Sequence, residues 1–146
     1  MNATIEPIWQ PSAKRIAGTR LTAFMAAAGK RWNRRLARAD YSTLHAWSVE
    51  HPEEFWASVW EFGNVRGEMG TTVVIDHAKM PGAQWFPQAR LNFAENLLRR
   101  RDTADALVFW GEDKVKGRAS HAELYRAVAQ TAAALRAMGV ARGDRV

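Results

Sequence analysis

The sequence predicts an α/β fold: a mostly helical N-terminal region, then the first strand and helix of a sheet-containing domain that the chain leaves incomplete. Apolar residues recur at helical spacing between residues 21 and 62. A short apolar run at 106–110 precedes a long amphipathic stretch that has a helix-start and a helix-stop signal. Strand followed by long helix is half of a βαβ unit, the building block of parallel sheets.

Composition excludes several classes of protein. The 146 residues include seven Trp and six Phe, enough aromatic surface to build a core, and no Cys. A disulfide framework, a thiolate zinc site and a cysteine nucleophile are therefore excluded. No signal peptide is visible at the start, and no run approaches the ~18 apolar residues of a membrane helix. We expect a cytoplasmic protein with no membrane partner.

The net charge of +6 comes from arginine, with 16 Arg against 5 Lys. Such a face can bind phosphate or nucleic acid. No aromatic or glycine pattern of a nucleic-acid module accompanies these arginines, so we favour a solvated helix surface and expect no nucleic-acid partner. They form two clusters: Arg31, Arg34, Arg35 and Arg38, then Arg99, Arg100 and Arg101.

The first forty residues predict an arm and one helix. Residues 1–19 resemble an extended arm, with Trp9 anchoring it to a core. Thr22 is placed to cap a helix over residues 23–28 that ends near Gly29. The basic segment 30–40 receives no assignment.

Two helices are expected next. Ser42 caps a short helix carrying Leu44 and Trp47. Pro52 suits the first position of the following helix, which ends at Gly63. Glu53 and Glu54 fall in its first turn, where the helix dipole favours acids. Its apolar stripe, interpreted as a core face, comprises Phe55, Trp56, Val59, Trp60 and Phe62.

The middle of the chain mixes extended segments with turns. The β-branched run 71–75 predicts a strand, residues 80–83 a turn, and residues 85–87 an extended segment. Asn92 and Glu95 form an N-cap pair for a helix that carries Phe93, Leu97 and Leu98 and ends in the basic run 99–101.

The last segment carries the strand and long helix. Residues 106–110 predict a strand and 111–117 a charged turn. Ser120 and Glu123 form a capping box for a helix to about Met138, whose apolar face comprises Leu124, Val128, Leu135 and Met138. Gly139 is the expected left-handed terminator, with Val140 as its apolar partner. A turn at 142–144 leads to a strand beginning at 145–146. The helix then needs a further strand, beside 106–110, supplied by a longer polypeptide.

No set of residues carries catalytic chemistry. The histidines (His45, His51, His77 and His121) lack metal-ligand spacing, and structural roles are favoured for them. No nucleophile elbow, Walker loop or dinucleotide fingerprint occurs. The stretch 70–72 (GTT) lacks the second Gly and the Lys of a phosphate loop, and we interpret it as chance. We therefore assign no catalytic, cofactor-binding or metal-binding residue.

Three segments together carry a family resemblance. They are residues 44–56 (LHAWSVEHPEEFW), 80–98 (MPGAQWFPQARLNFAENLL) and 139–146 (GVARGDRV). Over about residues 8–146 the chain resembles the start of the acetoacetyl-CoA synthetase family, within the adenylate-forming acyl-CoA synthetase superfamily. Residues 8–12 and 80–83 favour the acetoacetate type. Acetate-type relatives tend to have a Gly-Gly-Leu-Asn-like stretch where this chain has residues 89–92 (ARLN).

The resemblance implies a parent ligase of lipid metabolism and ketone-body utilisation. Such an enzyme converts acetoacetate and CoA to acetoacetyl-CoA through an acyl-adenylate, releasing AMP and pyrophosphate, and uses ATP, Mg²⁺ and CoA. The family's phosphate loop, ribose-holding acid and C-terminal lysine belong downstream, so this segment is expected to be an inactive scaffold that binds no cofactor alone. Its implied parts are an arm and helix (1–40), the helical region shared with acetyl-type enzymes (41–103) and the start of the adenylating domain (104–146).

Two alternatives stay open. The parent enzyme can act on acetate, propionate or another short acid, because the acyl-pocket residues are not identifiable in this chain. The chain can also be a self-contained, non-enzymatic basic interaction module. The C-terminus distinguishes an enzyme fragment from an interaction module, because a complete module should not end where a strand begins.

Overall fold

The computed structural model describes residues 8–37 and 40–146 as two compact units, which divide after Leu91. Both units mix helices with small antiparallel sheets, which confirms the predicted α/β class. Each unit is described separately below.

In its described residues, the first unit consists of four helices followed by four two-residue strands. β1 pairs with β4, and β2 pairs with β3, both antiparallel. Its elements are α1 (Ala13–Ala17), α2 (Arg20–Arg31), α3 (Tyr41–Glu50), α4 (Pro52–Phe62), β1 (Gly67–Glu68), β2 (Val74–Ile75), β3 (Gln84–Trp85) and β4 (Arg90–Leu91).

The core lies among α2, α3 and α4. Phe24 of α2 meets Phe55 and Phe62 of α4 edge-to-face, with ring centroids 5.7 and 5.4 Å apart. Aromatic pairs in this geometry add roughly 0.5–1.5 kcal/mol beyond the area they bury. The buried cluster is Phe24, Met25, Ala28, Leu36, Leu44 and Trp47.

α4 confirms the sequence prediction at both ends. Pro52 occupies its first turn, Glu53 and Glu54 follow, and Gly63 is the C-cap. The aromatic stripe predicted as the core face is only partly right. The buried residues of α4 are Pro52 and the small Ala57 and Ser58. The larger aromatic side chains pack around that strip and stay partly exposed.

The extended arm predicted for residues 1–19 is wrong where the structure describes it, and residues 1–7 lie outside the described part. Ser12 caps α1 by accepting a hydrogen bond from the Arg15 amide at 3.3 Å. Trp9 is not anchored in a core: its ring is mostly exposed and lies beneath the Arg15 guanidinium, 5.5 Å from the ring centroid.

The limits predicted for the next two helices also need correction. Thr19 rather than Thr22 caps α2, and Asp40 rather than Ser42 caps α3. α2 also runs through Gly29, which the sequence marks as a stop. A Cβ at Gly29 would lie 2.8 Å from the Arg34 carbonyl oxygen, so the glycine serves close packing of the following loop.

The strand predicted over 71–75 shrinks to Val74–Ile75. Asp76 follows with a φ of 55°, a left-handed conformation that ends extended pairing. The turn at residues 80–83 is confirmed. The segment around 85–87 is extended only at β3, because Phe86 also has a positive φ of 46°.

The second unit contains a short helix, a hairpin and a long helix. Its elements are α5 (Phe93–Leu97), β5 (Asp105–Trp110), β6 (Lys116–Ser120) and α6 (His121–Ala137). The Asn92 side chain caps α5 as predicted, but the helix ends before the basic run 99–101. Phe93 and Leu97 are exposed.

β6 is the element that the sequence reasoning missed. The charged turn predicted over 111–117 contains its first residues, and β6 pairs antiparallel with β5. The strand directly before α6 is thus β6 and not 106–110. The predicted half βαβ unit, which joined the strand at 106–110 to α6, is therefore wrong in its strand. Residues 145–146 form no strand.

Both ends of α6 confirm the sequence signals. The Ser120 hydroxyl accepts from the Glu123 amide, and the Glu123 carboxylate accepts from the Ser120 amide at 2.8 Å. These bonds also hold the pKa of Glu123 below its ordinary value. Gly139 has a φ of 86° and the Val140 amide donates to the Leu135 carbonyl, which closes the helix. No residue of α6 is buried.

Truncation of Leu44 to alanine tests the helical core. Leu44 is 5% exposed, so Leu44→Ala should cost about 2–5 kcal/mol of unfolding free energy through lost burial and a cavity. The matched control is Leu21→Ala on α2, where the side chain is 46% exposed and the change should stay within about 0.5 kcal/mol. Urea unfolding followed by tryptophan fluorescence measures both, and equal costs would contradict this core.

Candidate functional site

The Glu54 carboxylate of the first unit accepts hydrogen bonds from two neighbouring side chains. Arg34 donates to both of its oxygens, Nε to Oε2 at 3.0 Å and Nη2 to Oε1 at 2.9 Å. The Trp47 indole donates to Oε2 at 2.9 Å. These donors hold the pKa of Glu54 below its ordinary value, with the Arg34 hydrogen bonds as the main cause. The same bonds raise the pKa of Arg34.

A second chain of bonds meets the same turn of α4. The Trp32 indole donates to the Ser58 hydroxyl at 2.8 Å, and that hydroxyl donates to the Glu54 carbonyl oxygen at 2.8 Å. Trp32 follows α2 and Trp47 lies on α3, so one turn of α4 satisfies polar groups from both neighbouring helices. A carboxylate engaged in this way holds α4 in position against the residues that donate to it.

The helices also enclose an apolar groove of about 450 Å³. The Arg20 guanidinium lies 5.1 Å from the centroid of the Phe62 ring, and Tyr41 stacks on His45 with ring centroids 6.3 Å apart. Its apolar wall is formed mainly by Leu21, Phe24, Leu44, Phe55, Val59 and Phe62. The groove is therefore mainly apolar, with polar side chains such as Arg20 and His45 also in its lining.

The two arginine clusters are largely engaged within the chain. Arg31 pairs with Glu61, and Arg34 pairs with Glu54. In the second cluster Arg100 pairs with Asp102, which lowers the pKa of Asp102, and Arg101 lies 3.8 Å from the centroid of the Tyr125 ring. Arg38 lies outside the described residues. These contacts support the structural interpretation of the arginines.

The histidines are spread along the first and second units. His51 lies between α3 and α4 and occupies the N-cap position of α4, although its side chain makes no capping hydrogen bond. His121 is the first residue of α6, as expected. Across residues 8–37 and 40–146, no three His, Asp or Glu side chains approach closely enough to hold a metal ion.

In the glycine–threonine stretch at 70–72, the two threonines donate hydrogen bonds to the side chain of a glutamine. Gln88 Oε1 accepts from the Thr71 amide at 2.9 Å, the Thr72 amide at 3.1 Å and the Thr71 hydroxyl at 3.1 Å. A Cβ at Gly70 would lie 2.7 Å from the Gln88 Cβ, so the fit is tight. The amides of Thr71 and Thr72 are already bonded to Gln88, so in this conformation they do not offer free donors to a phosphate group. No sequence signal marked Gln88.

Comparison with known proteins identifies relatives of the whole chain. The family model described as the N-terminus of acetyl-coenzyme A synthetase matches residues 41–97. Acetoacetyl-coenzyme A synthetase of Rhizobium meliloti is 44% identical over 140 residues, covering 96% of this chain and 21% of that protein. Acetoacetyl-CoA synthetase of Gallus gallus is 38% identical over 144 residues, covering 95% of this chain and 21% of that protein.

One solved structure is also similar to this chain, both in fold and in sequence. The acetoacetyl-CoA synthetase from Streptomyces lividans matches with a TM-score of 0.78 and 44% identity, over 97% of this chain and 22% of that one. Over residues 41–97 the chain is thus similar in sequence to the N-terminus of acetyl-coenzyme A synthetases. More particularly, it is similar in sequence and in fold to part of the acetoacetyl-CoA synthetases. It spans about a fifth of the length of the relatives it matches.

Within the described part of the chain, no helix combines the length and apolar character needed to cross a bilayer.

Neutralising Glu54 tests the network around it. A carboxylate whose pKa is lowered on folding stabilises the folded state above its unfolded pKa, and this contribution is lost as the pH falls through the folded pKa. Glu54→Gln should therefore lower stability at pH 7 and flatten the loss of stability on the acid side, below about pH 4.5, the ordinary value. Glu53→Gln, on the same helical turn but exposed, is the control. Urea midpoints measured between pH 7 and 3 would contradict the assignment if both variants kept the same acid limb as the parent.

Proposed function

We propose that this chain is the N-terminal structural region of an AMP-forming acetoacetate–CoA ligase. The whole enzyme would join acetoacetate to CoA through an acyl-adenylate, using ATP and Mg²⁺ and releasing AMP and pyrophosphate. The observation that carries the proposal is 44% identity over nearly the whole chain to acetoacetyl-CoA synthetases, in sequence and in structure alike.

The region's own contribution is scaffolding. Its Glu54 hydrogen-bond network serves helix packing, Gln88 accepts from the amides of Thr71 and Thr72, and its groove is apolar. Substrate and nucleotide binding would therefore fall to the rest of the ligase. The division into residues 1–40, 41–103 and 104–146 remains a prediction, as do the cytoplasmic setting and the absence of membrane and nucleic-acid partners.

A second candidate is an N-terminal region of an acetate-type ligase. The observation in its favour is the family model for the acetyl-coenzyme A synthetase N-terminus over residues 41–97. The two candidates differ in the acid activated and not in the role of this region.

Activity measurements on two proteins test the proposal. The 146-residue chain alone should give no acetoacetate-dependent ATP–pyrophosphate exchange, because the amides of Thr71 and Thr72 are already bonded to Gln88. A chimera in which this chain replaces the matching region of the Streptomyces lividans enzyme should form acetoacetyl-CoA within about tenfold of the parent, a change of about 1.4 kcal/mol in the barrier.

The control is the same enzyme lacking that region, which should be inactive. Exchange activity in the isolated chain, or full activity in the truncated control, would contradict the scaffold role. A chimera that is stable but inactive would contradict the ligase assignment.

A further inference from the structure

The apolar groove among α2, α3 and α4 has the size of a small-molecule site. Its volume is about 450 Å³, and ligand pockets in proteins span about 300–1,000 Å³. Phe24 and Leu44 in its lining are buried, at 7% and 5% exposure, whereas Leu21 is 46% exposed. The buried residues hold one side of the groove in the core, and the exposed leucine leaves the other side open to solvent. A ligand could therefore enter without disturbing the core.

The charged groups in the lining of the groove are of one sign. Arg20 is the first residue of α2, and its guanidinium lies over the ring of Phe62, the last residue of α4. His45 is the other basic side chain in the lining. The lining, as far as the structure describes it, includes no Asp or Glu. The charge of the groove therefore complements an anion.

The Arg20 guanidinium retains hydrogen-bond donors for such an anion. A guanidinium has five N–H donors in a planar fork that matches a carboxylate. The contact with Phe62 is a cation–π contact, which uses none of these donors in a hydrogen bond. Within residues 8–37 and 40–146, Arg20 makes no ion pair, whereas Arg31 and Arg34 are both paired with glutamates.

We propose that this groove binds a straight-chain alkyl monocarboxylate, with the alkyl tail along the apolar wall and the carboxylate at Arg20. A neutral alkyl chain would leave the cation without a partner, and a short acid would leave the apolar wall exposed to water. The occupant must therefore carry both a tail and one negative charge. The site is separate from the substrate binding expected of the rest of the ligase, so the proposal does not depend on the ligase assignment.

Calorimetric titration of the 146-residue chain with three probes tests the ligand class. Octanoate has tail and charge, octanol has the tail alone, and acetate has the charge alone. Octanoate should bind with a Kd on the order of 0.1–1 mM. Octanol should bind at least about fivefold more weakly, because it lacks the charge-assisted hydrogen bonds to Arg20. Acetate should show no saturable binding. Equal affinities for octanoate and octanol, or for octanoate and acetate, would overturn the proposal.

Neutralising Arg20 tests where the carboxylate lies. Arg20→Gln should weaken octanoate binding by about 5–10-fold and change octanol binding by less than about twofold. The matched control is Arg15→Gln, since Arg15 also lies over an aromatic ring, that of Trp9, but is absent from the lining of this groove. That variant should bind octanoate as the parent does. Equal losses in the two variants would show that the general positive charge, and not Arg20, attracts the ligand.

An acid placed in the wall tests where the tail lies. Leu21→Glu should abolish octanoate binding, because it adds a like charge to the groove, and the exposed position allows the helices to keep their fold. Leu107→Glu is the control, because Leu107 is similarly exposed, at 54%, but lies on β5 of the second unit. Urea midpoints show that both variants are folded. A folded Leu21→Glu variant that still binds octanoate contradicts the proposal.

The chimera with the Streptomyces lividans enzyme tests the groove in a whole ligase. It should bind octanoate, and Leu21→Glu should lower the number of bound octanoate molecules by one per chain. Binding at the substrate site would not respond to this change. An unchanged number would mean that the rest of the polypeptide covers the groove, and the proposal would fall. An inactive chimera that loses one octanoate on this substitution would instead refute the ligase assignment and leave the groove site intact.

Discussion

The paired charges of Arg34 and Glu54 hold the first unit in its arrangement. Arg34 lies in the loop after α2, Glu54 in the first turn of α4, and Trp47 reaches the same carboxylate from α3. A two-pronged guanidinium–carboxylate contact fixes direction as well as distance, which apolar packing alone does not. With side chains only 35% and 24% exposed, the pair is partly withdrawn from water, so loss of one partner would leave the other poorly satisfied.

Burial is distributed unequally between the two units. Every buried residue of the described chain lies between Phe24 and Ser58, whereas β5, β6 and α6 contribute none. The first unit therefore carries its own core. The second unit keeps its secondary structure through hairpin pairing and helix caps, which are local interactions, and it has little apolar burial to support it.

Much of this fold was predictable where the determining interaction is local. Pro52 with Gly63, Ser120 with Glu123, and Gly139 fixed helix limits correctly, because each acts within one turn. Gly29 was wrongly taken as the end of α2. A glycine is needed there because the loop that contains Arg34 packs against it, and not because the helix ends. β6 was missed because Lys116 and Gly117 fall in the charged turn predicted over 111–117 and form a strand only beside β5.

The candidate site could be predicted less well, for the same reason. The sequence places Glu54 in a first helical turn but says nothing of Arg34, 20 residues earlier, meeting it. Gln88 likewise reaches Thr71 across 17 residues. Neither spacing matches the period of a helix or a strand, so the sequence pattern does not predict these contacts.

The tight packing at Gly29 limits which genetic changes this region tolerates. The Arg34 amide donates to the Gly29 carbonyl at 2.9 Å, and the space above Gly29 is filled by the backbone of the same loop. Any missense change in that glycine codon introduces a Cβ that pushes the loop outward. The Arg34 guanidinium would move with the loop. A mutation in α2 would therefore displace the cation that pairs with Glu54 of α4.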